Sequence, residues 1–111
     1  MNSIPELAGA RPSVRRPLVL IPYDRREALT VRQAAELVGR SEACVRGWAA
    51  LHDLGRRIGG GGWEISRVAL SMHVENDRRA LTAYLAGDRS SELVAPYFKR
   101  HHLENLLTGG A

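Results

Sequence analysis

The chain has 111 residues, with 16 Lys and Arg against 12 Asp and Glu and a formal net charge of +4. That length suits one small domain plus tails, since domains commonly run to about 100–150 residues, and it leaves no room for a catalytic cleft between domains. The single cysteine, Cys44, excludes an internal disulfide and any zinc site built on several thiolates. The longest apolar run, Leu18–Ile21, lies between Pro17 and Pro22 and is far short of the about 20 residues that span a bilayer. No secretory signal pattern leads it, so the expectation is a soluble cytoplasmic protein without a membrane partner.

The positive charge is spread along the chain with no basic block, and only Lys99 among the sixteen basic residues is a lysine. Arginine suits bidentate contacts to phosphate or guanine, so charge permits a nucleic-acid partner without demanding one.

Residues 1–28 hold Pro5, Pro12, Pro17 and Pro22 together with several arginines. Proline removes a backbone donor and forbids a helix interior, so this stretch reads as an N-terminal arm. Its β-prone run Leu18–Ile21 predicts an edge strand. Arg11, Arg15 and Arg16 form either a minor-groove arm or a solvated tail.

The character changes at Leu29. Thr30 followed by Gln33 is a capping box, in which the hydroxyl accepts the N3 amide and Gln33 reaches back. Val31, Ala34, Ala35 and Val38 fall at helical spacing, and Gly39 can take the positive φ that ends a helix. Ser41 is a second N-cap, with Glu42 placed to favour the helix dipole. Val45, Trp48 and Leu51 predict the buried stripe of this second helix, and Gly55 is expected to end the connection after it.

Two β-prone segments around Gly59–Gly62 read as a hairpin, with Ile58 and Ile65 toward the core and Trp63 packed beside them or bracing the turn. Ser66 caps a third helix, and Ile65 and Leu70 make its hydrophobic staple. Leu70, Val74, Leu81 and Leu85 mark a buried stripe interrupted by Asn76-Asp77-Arg78-Arg79. Either Asp77 faces water at the edge of that stripe, or the helix breaks and restarts on Asn76 or Asp77. Gly87 stops it. A last helix carries Leu93, Tyr97, Leu103, Leu106 and Leu107, with Pro96 in its first turn or at a kink. The residues after it, 108–111, form a short tail. The expected architecture is mainly α with a small β-hairpin: a core at 29–70, and C-terminal helices over 71–107 that complete the core or offer a homodimer or partner surface.

The segment Leu29-Thr30-Val31-Arg32-Gln33-Ala34-Ala35-Glu36-Leu37-Val38-Gly39-Arg40-Ser41-Glu42-Ala43-Cys44-Val45-Arg46-Gly47-Trp48 resembles the excisionase and MerR-type DNA-binding domain. That family repeats a Thr-Val-x-x-Ala-Ala start, a Gly-x-Ser turn and a Val-Arg-x-Trp recognition helix. Arg57-Ile58 and Trp63-Glu64-Ile65-Ser66 are similar to its wing and the start of its next helix. The resemblance covers about residues 29–70. It implies a winged helix-turn-helix that binds double-stranded DNA, either as a transcription regulator or as a recombination directionality factor acting with a recombinase. A protein of that kind would be nucleoid-associated.

A recognition helix docked this way presents Ser41, Glu42, Ala43, Arg46, Gly47 and Ala50, preceded by Arg40 in the turn. Arg46 is its long cationic reader, and Ser41 at the helix N-terminus suits a phosphate. Arg56 and Arg57 at the base of the wing, with Gly60 and Gly61 at its tip, suit the adjacent minor groove. Arg40 and Glu42 depart from the family pattern, which carries a buried aliphatic residue at the first position and favours a basic one near the second. Other readings are a DNA-recognition subunit of a phage packaging machine, or an adaptor that keeps the fold for protein contacts.

Chemistry is not expected, nor is a cofactor. No Gly-Lys-Ser/Thr follows the glycine tract, as a phosphate loop requires. His73 and Asp77 are one turn apart and His101-His102 precede Glu104, but adjacent histidines face different sides of a helix, which argues against a metal site.

Overall fold

In the computed structural model, which describes residues 16–57 and 59–104, the chain passes from strand to helix at Thr30. The Thr30 hydroxyl accepts the Gln33 amide at 3.0 Å and the Gln33 side chain accepts the Thr30 amide at 2.9 Å, so the capping box closes as expected. The elements run β1 (Ala28–Thr30), α1 (Val31–Val38), α2 (Glu42–His52), β2 (Gly55–Arg57), β3 (Trp63–Ser66), α3 (Arg67–Val74), α4 (Arg78–Leu85) and α5 (Ala95–Arg100). Among the described residues the fold is therefore mixed, with five helices and a small antiparallel sheet of order β1-β3-β2.

Gly39 ends α1 at φ 70°, and after it Ser41 caps α2 by accepting the Cys44 amide at 3.0 Å. Small Ala34 and Ala35, both buried, let α1 lie close against α2. The buried stripe of α2 is Val45 and Ala49, flanked by half-buried Trp48 and His52. Leu51, expected in that stripe, is 75% exposed. The turn from Val45 to Ala49 is four residues, and that four-step row, not a run of three-residue steps, meets the core. Asp53, at φ 60°, forms the left-handed cap of α2. The connection then ends, as expected, at Gly55, the first residue of β2, where an added Cβ would stand 2.2 Å from the Glu64 carbonyl oxygen.

The hairpin pairs Gly55 with Ile65 and Arg57 with Trp63, and β1 adds itself on the other edge by pairing Leu29 with Ile65. The sequence signals for β1 are slight because it is only three residues long. Ile65 is fully buried, while Ile58 lies outside the described residues. Ser66 accepts the Ala69 amide at 3.0 Å and starts α3, with Ile65 and Leu70 both in the core as its staple requires.

The third helix does break. Asn76 takes φ 58°, and Asp77 restarts the chain as the cap of α4, accepting the Ala80 amide at 3.1 Å. Val74, the last residue of α3, is 52% exposed and leaves the expected stripe, while Leu81 stays buried. Pro96 occupies the first turn of α5, where its missing N–H costs nothing. Leu106, Leu107 and the 108–111 tail lie outside the described residues, as do Arg11 and Arg15.

No strand forms at Leu18–Ile21. Prolines on both sides remove ladder donors, and the amides between them bond elsewhere. Leu18 N–H donates to the Leu85 carbonyl at 2.9 Å and Leu20 N–H to the Tyr84 hydroxyl at 2.8 Å, with Leu20 at φ 59°. The segment is a strap over the end of α4, and it buries Val19 and Leu20. These two join one apolar cluster with Val45, Ile65, Leu70, Met72, Phe98 and Leu103, so the strap and the C-terminal helices share the core of the rest.

Candidate nucleic-acid interface

The N-cap at Ser41 and the burial of Val45 and Ala49 fix the rotation of α2 about its axis. That rotation exposes Ser41, Glu42, Ala43, Arg46, Gly47 and Ala50 together, all six of the α2 residues expected to face a partner. Arg40 is exposed in the turn before them, so its charge stays in water where the family pattern has a buried aliphatic. It lines a small cavity of about 160 Å³ with Val38, Trp48, His73 and Val74.

The outer face of α2 carries two long side chains, Glu42 and Arg46, which pair one turn apart at 3.6 Å with both about half exposed. A solvated pair of this kind adds little stability and is easily rearranged by an arriving partner. Around it Ala43, Gly47 and Ala50 bring the helix backbone close to the surface. An added Cβ at Gly47 would meet nothing within 4 Å, so no internal contact requires a glycine there. A glycine inside a helix costs about 0.5–1 kcal/mol relative to alanine.

The hairpin supplies the second group of expected contacts. Arg57 is exposed and Arg56 half-buried, and Gly60 and Gly61 are exposed at the tip. Gly59 and Gly60 take φ 55° and 78°, the left-handed conformation that the tight turn demands. Arg57 Nε donates to the Gly61 carbonyl at 3.1 Å, which braces the loop and leaves the rest of the guanidinium outward. Thus the structure groups the α2 residues on one face and holds Arg56 and Arg57 at the hairpin.

Sequence reasoning missed a polar network behind the sheet. Glu27 is 1% exposed, and its Oε2 accepts from the Ser66 hydroxyl at 2.6 Å and from the Tyr84 hydroxyl. Burial pushes the Glu27 carboxyl above its ordinary 4.5, against the opposing pull of those two hydrogen bonds. Burial likewise raises the Tyr84 phenol, reinforced by the adjacent Glu27 charge. Arg89 locks the same corner: its guanidinium donates to the carbonyls of Leu18, Ile21, Tyr84 and Asp88 and lies 4.0 Å from the Tyr84 ring centre. One signal pointed there, a lone tyrosine at helical spacing after Leu81, because a buried phenol needs a partner.

The two histidine candidates have structural partners. His73 packs edge-on to Trp48 at 4.7 Å and against His52 at 4.6 Å, and burial lowers its pKa from 6.5. Asp77, one turn away, is engaged as the α4 cap and by the Tyr97 hydroxyl at 2.7 Å. His101 Nε2 lies 2.8 Å from the Ser71 hydroxyl. Among the described residues no three His, Cys, Asp or Glu side chains gather as a metal site, and no helix is long and apolar enough to cross a membrane. No protein-family model, no curated protein and no solved structure matches the chain, so its functional reading rests on the geometry above.

Proposed function

We propose that the chain is a winged helix-turn-helix module that binds double-stranded DNA sequence-specifically, as a transcription regulator or a recombination directionality factor. The observation that carries the reading is the outer face of α2. It is an exposed, capped helix whose one long cation, Arg46, pairs with Glu42 and stands beside the small residues Ala43, Gly47 and Ala50. Such a face can enter a major groove closely enough for Arg46 to reach guanine O6 and N7. Glu42 beside it suits the cytosine N4 amine, and Ser41 with the free amides of the first turn suits a phosphate. Arg56 and Arg57 then grip the flanking backbone through the hairpin. The function is docking, with no bond made or broken.

A second reading, a protein-interaction adaptor, draws on a different observation. Leu51 is 75% exposed next to this face, and Glu42 cancels the Arg46 charge in the free protein. Replacing Arg46 separates the two readings. Duplexes selected from a random pool by the wild type should bind Arg46→Ala about 5- to 150-fold more weakly, the equivalent of a bidentate base contact of about 1–3 kcal/mol. Equal binding by wild type and variant, or no selectable duplex, favours the adaptor.

A further inference from the structure

Away from the outer face of α2, the strap and the hairpin enclose a cleft of about 600 Å³. It is lined by Pro17, Leu18 and half-buried Trp63 and by Arg16, Arg56 and Arg57 with one carboxylate, Asp53. None of these three arginines is in any of the four ion pairs among the described residues. Arg57 and Trp63 are direct cross-strand partners, so their side chains rise from the same face of the hairpin. An apolar cavity of 300–1,000 Å³ with a few convergent polar groups is the ordinary form of a small-molecule site. Guanidiniums beside an indole narrow the ligand further: guanidinium forks match phosphate oxygens, and the indole face takes a flat ring.

The geometry points to a binding site for an aromatic phosphate of nucleotide size, its ring against Trp63 and its phosphate held by Arg16 and Arg57. The source of that chemistry is either a free nucleotide or an unpaired nucleotide of a strand. No outer-face residue of α2 lines the cleft, but Arg57 also serves the duplex-binding reading, so mononucleotide binding is read separately from duplex binding. Because β2 and Trp63 of β3 line the cleft, occupancy would also stiffen the hairpin.

Titration of the 15N-labelled full chain with adenosine monophosphate tests the site, read at the Trp63 indole N–H and the amides of Gly55, Arg56 and Arg57. The expected result is a saturable shift of those signals, with adenosine and inorganic phosphate each binding about tenfold or more weakly. The Arg57→Ala protein should lose about tenfold or more in affinity, as expected when charged hydrogen bonds to phosphate are removed. A matching melting curve for that protein shows that its fold is intact, and Arg16→Ala gives the same readout from outside the sheet. A short single-stranded oligonucleotide that shifts the same signals more strongly than the mononucleotide identifies a strand as the source. No saturable shift with either probe, equal binding of adenosine, or shifts seen only with a duplex would overturn the proposal.

Discussion

Arg46 and Arg89 carry the same guanidinium into two very different surroundings. Arg46 is half exposed, and its one charged neighbour is Glu42 at 3.6 Å, one helical turn away. Arg89 is bound to four backbone carbonyls and stacked over Tyr84, and it joins the 18–21 strap to the end of α4. Around Arg89 the polar groups are matched inside the molecule: Glu27, Ser66, Tyr84 and the Leu20 amide satisfy one another. Around Arg46 and its partner Glu42 the outer face of α2 carries small Ala43, Gly47 and Ala50. The contrast teaches that a charge engaged by its own fold holds the structure together, whereas one left in water is free for a partner.

Truncation at the engaged corner should have the largest effect. Tyr84→Ala removes a fully buried ring and leaves Glu27 and the Leu20 amide without their partner. Large buried aromatics cost about 3–5 kcal/mol on truncation, so chemical denaturation should show most of the chain's stability gone. The glycines give the next contrast. Gly55→Ala pushes a methyl group into the Glu64 carbonyl and should cost about 1–3 kcal/mol by the same measurement. Gly47→Ala meets open space and should instead stabilise the fold by about 0.5–1 kcal/mol while weakening duplex binding. A Gly47→Ala protein that is more stable and binds duplex as well as the wild type would remove the close-approach argument.

A subtler test concerns pH. The folded Glu27 carboxyl keeps its proton above the ordinary 4.5, so its burial is penalised as pH rises above that value and relieved as pH falls toward it. Gln in its place still accepts hydrogen bonds but carries no charge to bury. The stability of the wild type relative to Glu27→Gln should therefore rise on acidification from neutral pH to about 4.5. A difference that is flat over this range would show that the carboxyl titrates normally.

The parts of the fold visible in the sequence were those set by local rules. The Thr30–Gln33 box, the Ser41 and Ser66 caps and the Gly39 turn each act over three or four residues, so spacing alone identified them. The exposed face of α2 followed from the same helical arithmetic. Local pattern was insufficient where tertiary contacts decide. Whether Ala49 or Leu51 faces inward depends on how α2 sits on the sheet, and composition favoured the larger side chain. The strap at Leu18–Ile21 carries strand-like residues, but the amides of Leu18 and Leu20 are claimed by Leu85 and Tyr84, more than sixty residues on. Glu27 and Tyr84, 57 positions apart, look like ordinary surface and core residues until the fold brings them together. The Arg16–Trp63 cleft was equally hidden, because its lining comes from the strap and from the hairpin.

The most direct test of the central claim is retention of fragmented genomic DNA by the folded chain at two salt concentrations, with Arg46→Ala in parallel and the retained fragments sequenced. The account predicts that one or a few loci survive the higher salt with the wild type and are lost with the variant. Backbone contacts alone weaken steeply as salt rises, whereas base contacts keep their preference. Uniform retention that disappears with salt, identical loci with both proteins, or no DNA retained at either concentration would contradict it.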